Sequence, residues 1–120
     1  MGRNLWSYEP MKTEDAIQAH LMATTAYETP WGMRRDRAKC IVCADGTTIS
    51  VQVGPGLYCA PRNAYGPWYQ VEVGFPSKAL PEIMEFAEDG NAPTETVYGY
   101  VPIEIVAAAV DACGGLKATP

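Results

Sequence analysis

Ala16, Ile17 and Leu21, with His20 and Thr24 beside them, fall on one face at helical spacing. Thr13 stands where a cap would, and Glu14 and Asp15 sit where a helix N-terminus favours negative charge. The pattern predicts a helix from Glu14 to about Tyr27, since Pro30 forbids continuation. Thr29 to Lys39 then reads as a loop. From Cys40 the period changes to two: Cys40 to Cys43 and Thr47 to Val53 flank Asp45-Gly46, a strong hairpin signal. Ile49, Val51 and Val53 are expected to face the core, with Thr48, Ser50 and Gln52 outside.

Gly54-Pro55-Gly56 breaks that strand, and Leu57 to Pro67 is irregular. Trp68 to Phe75 alternates again, with Tyr69, Val71, Val73 and Phe75 on the apolar side and Trp68, Gln70 and Glu72 opposite. A short helix is expected after Ser77, its stripe formed by Leu80, Ile83, Met84 and Ala87. Val97 to Val101 forms a fourth strand. A last helix begins at Pro102, buries Ile103, Val106, Val110 and Cys113, and stops at Gly114-Gly115. The order is α-β-β-β-α-β-α: an α+β domain with a mainly antiparallel four-stranded sheet and three helices. Residues 1–120 form a single domain, with 1–12 and 116–120 expected at its periphery.

Charge narrows the partners. The chain of 120 residues carries a formal charge of -5. Residues 1–62 hold seven basic and six acidic groups, a balance of +1; residues 63–120 hold two and eight, a balance of -6. A general nucleic-acid binder needs a basic face to release counterions, and an anionic membrane needs the same, so neither is expected. No secretory leader or membrane span is legible. The four cysteines therefore read as free thiols in a reducing, cytoplasmic setting.

Enzyme chemistry finds little support. His20, the only histidine, lies on the apolar side of its helix, and no nucleophile elbow or phosphate-binding glycine loop is present. Cys40 and Cys43 are an odd number of residues apart in a strand and leave opposite faces, which disfavours a shared metal. No catalytic residue, metal or cofactor is expected. Two clusters remain. Arg34, Arg35, Arg37 and Lys39 form a basic loop suited to an anion, or to balancing the acidic half. Most of the aromatic residues lie between Tyr58 and Tyr100. Strand alternation places Trp68, Tyr98 and Tyr100 together on the sheet face opposite the core, beside Tyr58, Arg62 and Tyr65 from the preceding loop. Such a face suits a protein partner, a stacked nucleotide, or a second copy of the chain in a homodimer. A covering element of the same chain is the remaining alternative.

At Cys59-Ala60-Pro61-Arg62, Tyr65-Gly66-Pro67-Trp68, Val71 to Ser77 and Thr96 to Pro102 the chain resembles small proteins encoded by bacteriophages and prophages of gut-type bacteria. The likeness covers roughly residues 11–116 and brings no assigned catalytic residues. It implies a counter-defence factor, one that binds a bacterial defence protein as anti-CRISPR proteins do. The alternatives it leaves are a sponge for a cyclic or ADP-ribose-type nucleotide second messenger, held by Arg62, Tyr65, Trp68, Tyr98 and the basic loop, and a phage structural or regulatory subunit.

Overall fold

In the computed structural model, residues 11–117 are described; the expectations for residues 1–10 and 118–120 lie outside them. Helix α1 spans Thr13–Met22, followed by strands β1 (Ala26–Thr29), β2 (Gly32–Arg35), β3 (Ile41–Val42), β4 (Thr48–Gln52) and β5 (Gln70–Gly74). A 3₁₀ helix at Pro81–Phe86, strand β6 (Val97–Pro102) and helix α2 (Ile103–Ala112) complete the order. β3 to β6 form an antiparallel four-stranded sheet in sequence order, and β1 and β2 form a separate hairpin. The fold class is α+β, as the sequence implies, with one hairpin added.

That hairpin corrects two expectations. The first helix ends at Met22 rather than near Tyr27, and the stretch from Thr29 to Lys39 is not all loop. After Met22 the Thr24 hydroxyl donates to the Leu21 carbonyl at 2.8 Å, a local bond that competes with helix continuation. Tyr27 pairs with Arg34 and Ala26 with Arg35, and Gly32 at φ 110° closes the turn after Pro30-Trp31. Thr13 is not a cap either: its hydroxyl donates to Asp111 Oδ1 at 2.6 Å and ties α1 to α2. Nor does Ser77 cap a helix. Its hydroxyl accepts from the Thr48 N–H and its own N–H donates to the Thr48 carbonyl, while the short helix starts only at Pro81.

Ile17 and Leu21 of α1, Ile83 of the 3₁₀ helix, Val106 and Val110 of α2, and Ile49, Val51, Val71, Val73 and Val101 of the sheet join one core. Tyr69 and Phe75, expected beside Val71 and Val73, are exposed instead, because each lies just beyond an end of β5. Ser50 and Gln52, expected outside, are buried. The segment between β2 and β3 crosses them, and the Gln52 amide bonds both the N–H and the carbonyl of Ala38, at 2.8 and 2.9 Å. Leu116 and Lys117 lie exposed along the sheet edge. Leu116 bridges Cys43, and the Lys117 N–H donates to the Val42 carbonyl at 2.8 Å. Among the described residues no helix is long and apolar enough to cross a membrane.

Candidate functional site

The expected aromatic face does not assemble, and a bulge explains why. On β6 the step from Tyr98 to Val101 opposes the step from Val73 to Val71 on β5, three residues against two. The extra residue inverts the alternation, so Tyr98 and Val101 both point inward. Tyr98 is fully buried, its hydroxyl donating to the Pro93 carbonyl. Trp68 is 1% exposed and its indole N–H donates to the Asn63 carbonyl at 3.2 Å. Gln18 of α1 brackets the Trp68 backbone, donating to its carbonyl at 2.8 Å and accepting from its N–H at 3.0 Å. The core of the chain itself takes two of the three aromatics.

Tyr100 alone turns outward, from a left-handed backbone at φ 53°. For a tyrosine this conformation costs on the order of 1 kcal/mol, and such strain concentrates at functional positions. Its N–H donates to the Tyr58 carbonyl at 2.9 Å. The two rings meet with centroids 5.8 Å apart and planes tilted by 44°. They are 43% and 40% exposed, Tyr58 and Tyr100 respectively. Gly99 permits the contact: a Cβ there would come within 3.2 Å of Tyr58 Cβ. The pair is therefore exposed at the rings and fixed at the backbone.

Glu72 joins this pair to the arginines. Its Oε1 accepts the Tyr58 N–H at 3.2 Å, and the same side chain walls a cleft of about 160 Å³. Arg34, Arg37, Tyr27, Leu57 and Pro55 line the same cleft. Arg34 also donates to the Met33 carbonyl at 2.9 Å. Arg35 borders the cleft but has another task. Its guanidinium donates to the carbonyls of Leu21, Met22, Thr24 and Ala64 and to the Thr24 hydroxyl. Two of those acceptors, Leu21 and Met22, carry the last carbonyls of α1 and Thr24 follows it, so Arg35 caps the end of that helix from thirteen residues beyond Met22. Its Cζ also lies 5.2 Å from the Trp68 ring centroid.

Arg62 and Tyr65 are exposed on the loop before β5, where the Asn63 side chain accepts the N–H groups of Tyr65 and Gly66. Nothing in the geometry joins them to the Tyr58–Tyr100 pair. The four-residue nucleotide grip of Arg62, Tyr65, Trp68 and Tyr98 is therefore not formed, since Trp68 and Tyr98 are in the core. Sequence reasoning missed Tyr27, which it placed on the helix. The consecutive Thr24-Thr25, β-branched and competing for backbone bonds, was the available signal.

The cysteines separate as the strand period requires: Cys40 is exposed and Cys43 buried. Burial first, then the neighbouring Cys113 thiol and the Asp45 carboxylate, push the Cys43 thiol up to about 11. Burial also raises Cys59. At pH 8 iodoacetamide is expected to modify Cys40 alone, with the other three reacting only on unfolding; mass mapping checks this. The folded state holds the Cys43 proton more tightly than the unfolded chain. The resulting stability is constant below about pH 9 and lost as pH rises toward 11. Tyr98, raised by burial, and Lys78, raised by its bond to Asp45, act with the same sign. Urea midpoints should accordingly fall between pH 9 and 11. Lys78 and Asp45 form an exposed ion pair at 2.9 Å, and bonds from Thr47 and Lys78 hold the Asp45 carboxyl well below its usual range.

His20, half-buried, shares a hydrogen bond with the Lys39 carbonyl at 2.8 Å. Among the described residues, no three His, Cys, Asp or Glu side chains group to hold a metal ion. Comparison with family models, with curated proteins and with solved structures finds no match for this chain.

Proposed function

We propose that the chain is a non-enzymatic, phage-encoded binding protein that antagonises bacterial immunity by occluding a defence protein in the cytoplasm of the infected cell. The resemblance to small phage proteins supplies the setting. One observation carries the binding surface: the Tyr58–Tyr100 pair, exposed at its rings, locked at its backbone and continuous through Glu72 with the Arg34–Arg37 cleft. Fixed tyrosines lose little conformational entropy on docking, and Tyr and Arg dominate interface hot spots. A mixed surface of two aromatics, two guanidinium groups and one carboxylate suits a protein partner carrying both polarities.

The test is expression in bacteria with an active CRISPR system, scored by phage plating, together with pull-down of the effector and a cleavage assay. The wild-type chain should protect phage and retain the effector. Tyr58→Ala and Tyr100→Ala should each weaken binding by about 30-fold, the hot-spot scale of about 2 kcal/mol. Failure to bind or inhibit any CRISPR or other defence effector would sink the proposal.

Sequestration of a nucleotide messenger has one supporting observation, the arginine-lined cleft with Tyr27 beside it. At about 160 Å³ it falls short of the roughly 300 Å³ at which small-molecule sites begin, so it ranks second. Calorimetry against cyclic nucleotides and ADP-ribose decides it, with Arg34→Ala and Arg37→Ala expected to remove any heat.

A further inference from the structure

A larger concavity lies elsewhere, where α1 faces the edge strand β3 and the chain at Leu116–Lys117. It is an open groove of about 630 Å³. Val42 and Leu116 give it an exposed apolar lining above the buried Ile17 and Ile41, and its helix side carries the small Ala16 and Ala19. Its polar members, unlike those of the arginine cleft with Glu72, include no carboxylate. In a chain of net charge -5, the ionisable groups lining the groove are Lys39, Lys117, His20 and the thiol of Cys40, with no carboxylate among them. The walls are also fixed. His20 is bonded to the Lys39 carbonyl at 2.8 Å, and the Lys117 N–H to the Val42 carbonyl at 2.8 Å, so both lysines are anchored at their backbones and exposed at their side chains.

From this geometry we infer that the groove is a binding site for a small amphipathic anion, a molecule with an aliphatic body and a single carboxylate head. Its volume falls in the range of small-ligand sites, roughly 300–1,000 Å³. A stable protein interface would need about 20–30 residues a side, more than the groove supplies. The aliphatic body lies along the exposed Val42 and Leu116, over the core residues Ile17 and Ile41 at the floor, and the head meets the ammonium groups of Lys39 and Lys117 at the rim. A cationic or neutral ligand of the same body lacks that second contact. The site is separate from the tyrosine–arginine surface, so it stands or falls independently of the proposed immune role.

Cys40 makes the test direct. It lines the groove and is exposed, while the other three cysteines are buried. The full-length protein is alkylated with N-ethylmaleimide with and without decanoate, below the micelle threshold, and the rate at Cys40 is read by peptide mapping. Decanoate should slow the reaction saturably, whereas decyltrimethylammonium at equal concentration should not. The double variant Lys39→Glu, Lys117→Glu should need about tenfold more decanoate for half-protection, equivalent to roughly 1.4 kcal/mol. Each variant is compared with its own unliganded rate, because Lys39 adjoins the thiol, and both exposed changes should leave the melting temperature in place. Three results would overturn the inference: no protection by decanoate, equal protection by the cation, or protection unaltered in the double variant. Protection that grows with protein concentration in the absence of decanoate would also overturn it, by assigning the groove to a second copy.

Discussion

Trp68→Ala should cost about 3–5 kcal/mol of stability, the range for removing a large aromatic from a core. That corresponds to a fall in melting temperature of roughly 10–20 °C for a chain of this size. The Trp68 ring lies over Gly66, where φ is +64° and a Cβ would come within 2.6 Å of the indole. Arg35 stacks near its face, and the indole N–H is satisfied by Asn63. Truncation therefore leaves a cavity, an orphaned carbonyl and an uncovered guanidinium at once. Trp31 is the internal control: at 83% exposure on the β1–β2 turn, its change to alanine should stay within about 0.5 kcal/mol. Chemical denaturation of both variants checks the contrast. A loss below about 1 kcal/mol for Trp68→Ala would put that ring back on the surface, where alternation alone had placed it.

Arg35→Met should destabilise by about 2–4 kcal/mol, since charge-assisted hydrogen bonds contribute more than neutral ones and several acceptors lose their partner together. Arg35→Lys should recover less than half of this, because a single ammonium cannot span acceptors on Leu21, Met22, Thr24 and Ala64. Hydrogen exchange should show the loss concentrated in the last turn of α1 and in β1–β2, the elements the guanidinium joins. The Trp68→Ala, Arg35→Met double variant should be non-additive by at least about 0.5 kcal/mol, as for residues in direct contact. Additivity, or an Arg35→Met variant as stable as wild type, would remove the arginine from its structural role and return it to the candidate binding surface.

Of that surface, Tyr58 and Tyr100 were named in the sequence within an aromatic cluster and Arg34 and Arg37 within a separate basic loop. Their selection from a longer list was not legible there. Trp68 and Tyr98 are the same residue types at comparable positions, yet the core takes both, and Arg35, unlike its β2 neighbour Arg34, turns to the end of α1. Glu72, placed by alternation on the sheet face opposite the core, links the tyrosines to the cleft.

What the sequence determined by itself was local. The Asp45-Gly46 turn, the alternating strand through Val51, the stop at Gly114-Gly115 and the α+β class all follow from turn chemistry and short-range period. Tertiary structure decided three other things. The length of α1 is set partly by an arginine on a later strand that satisfies its last carbonyls. The β1–β2 hairpin replaced helix and loop. The facing of β6 changed because one added residue in its pairing with β5 reverses which side chains meet the core. Turn and cap preferences act within a few residues of chain and so can be read along it. The parity of a strand depends on its partner's register, and a single bulge there carries Tyr98 inward and leaves Tyr100 facing out.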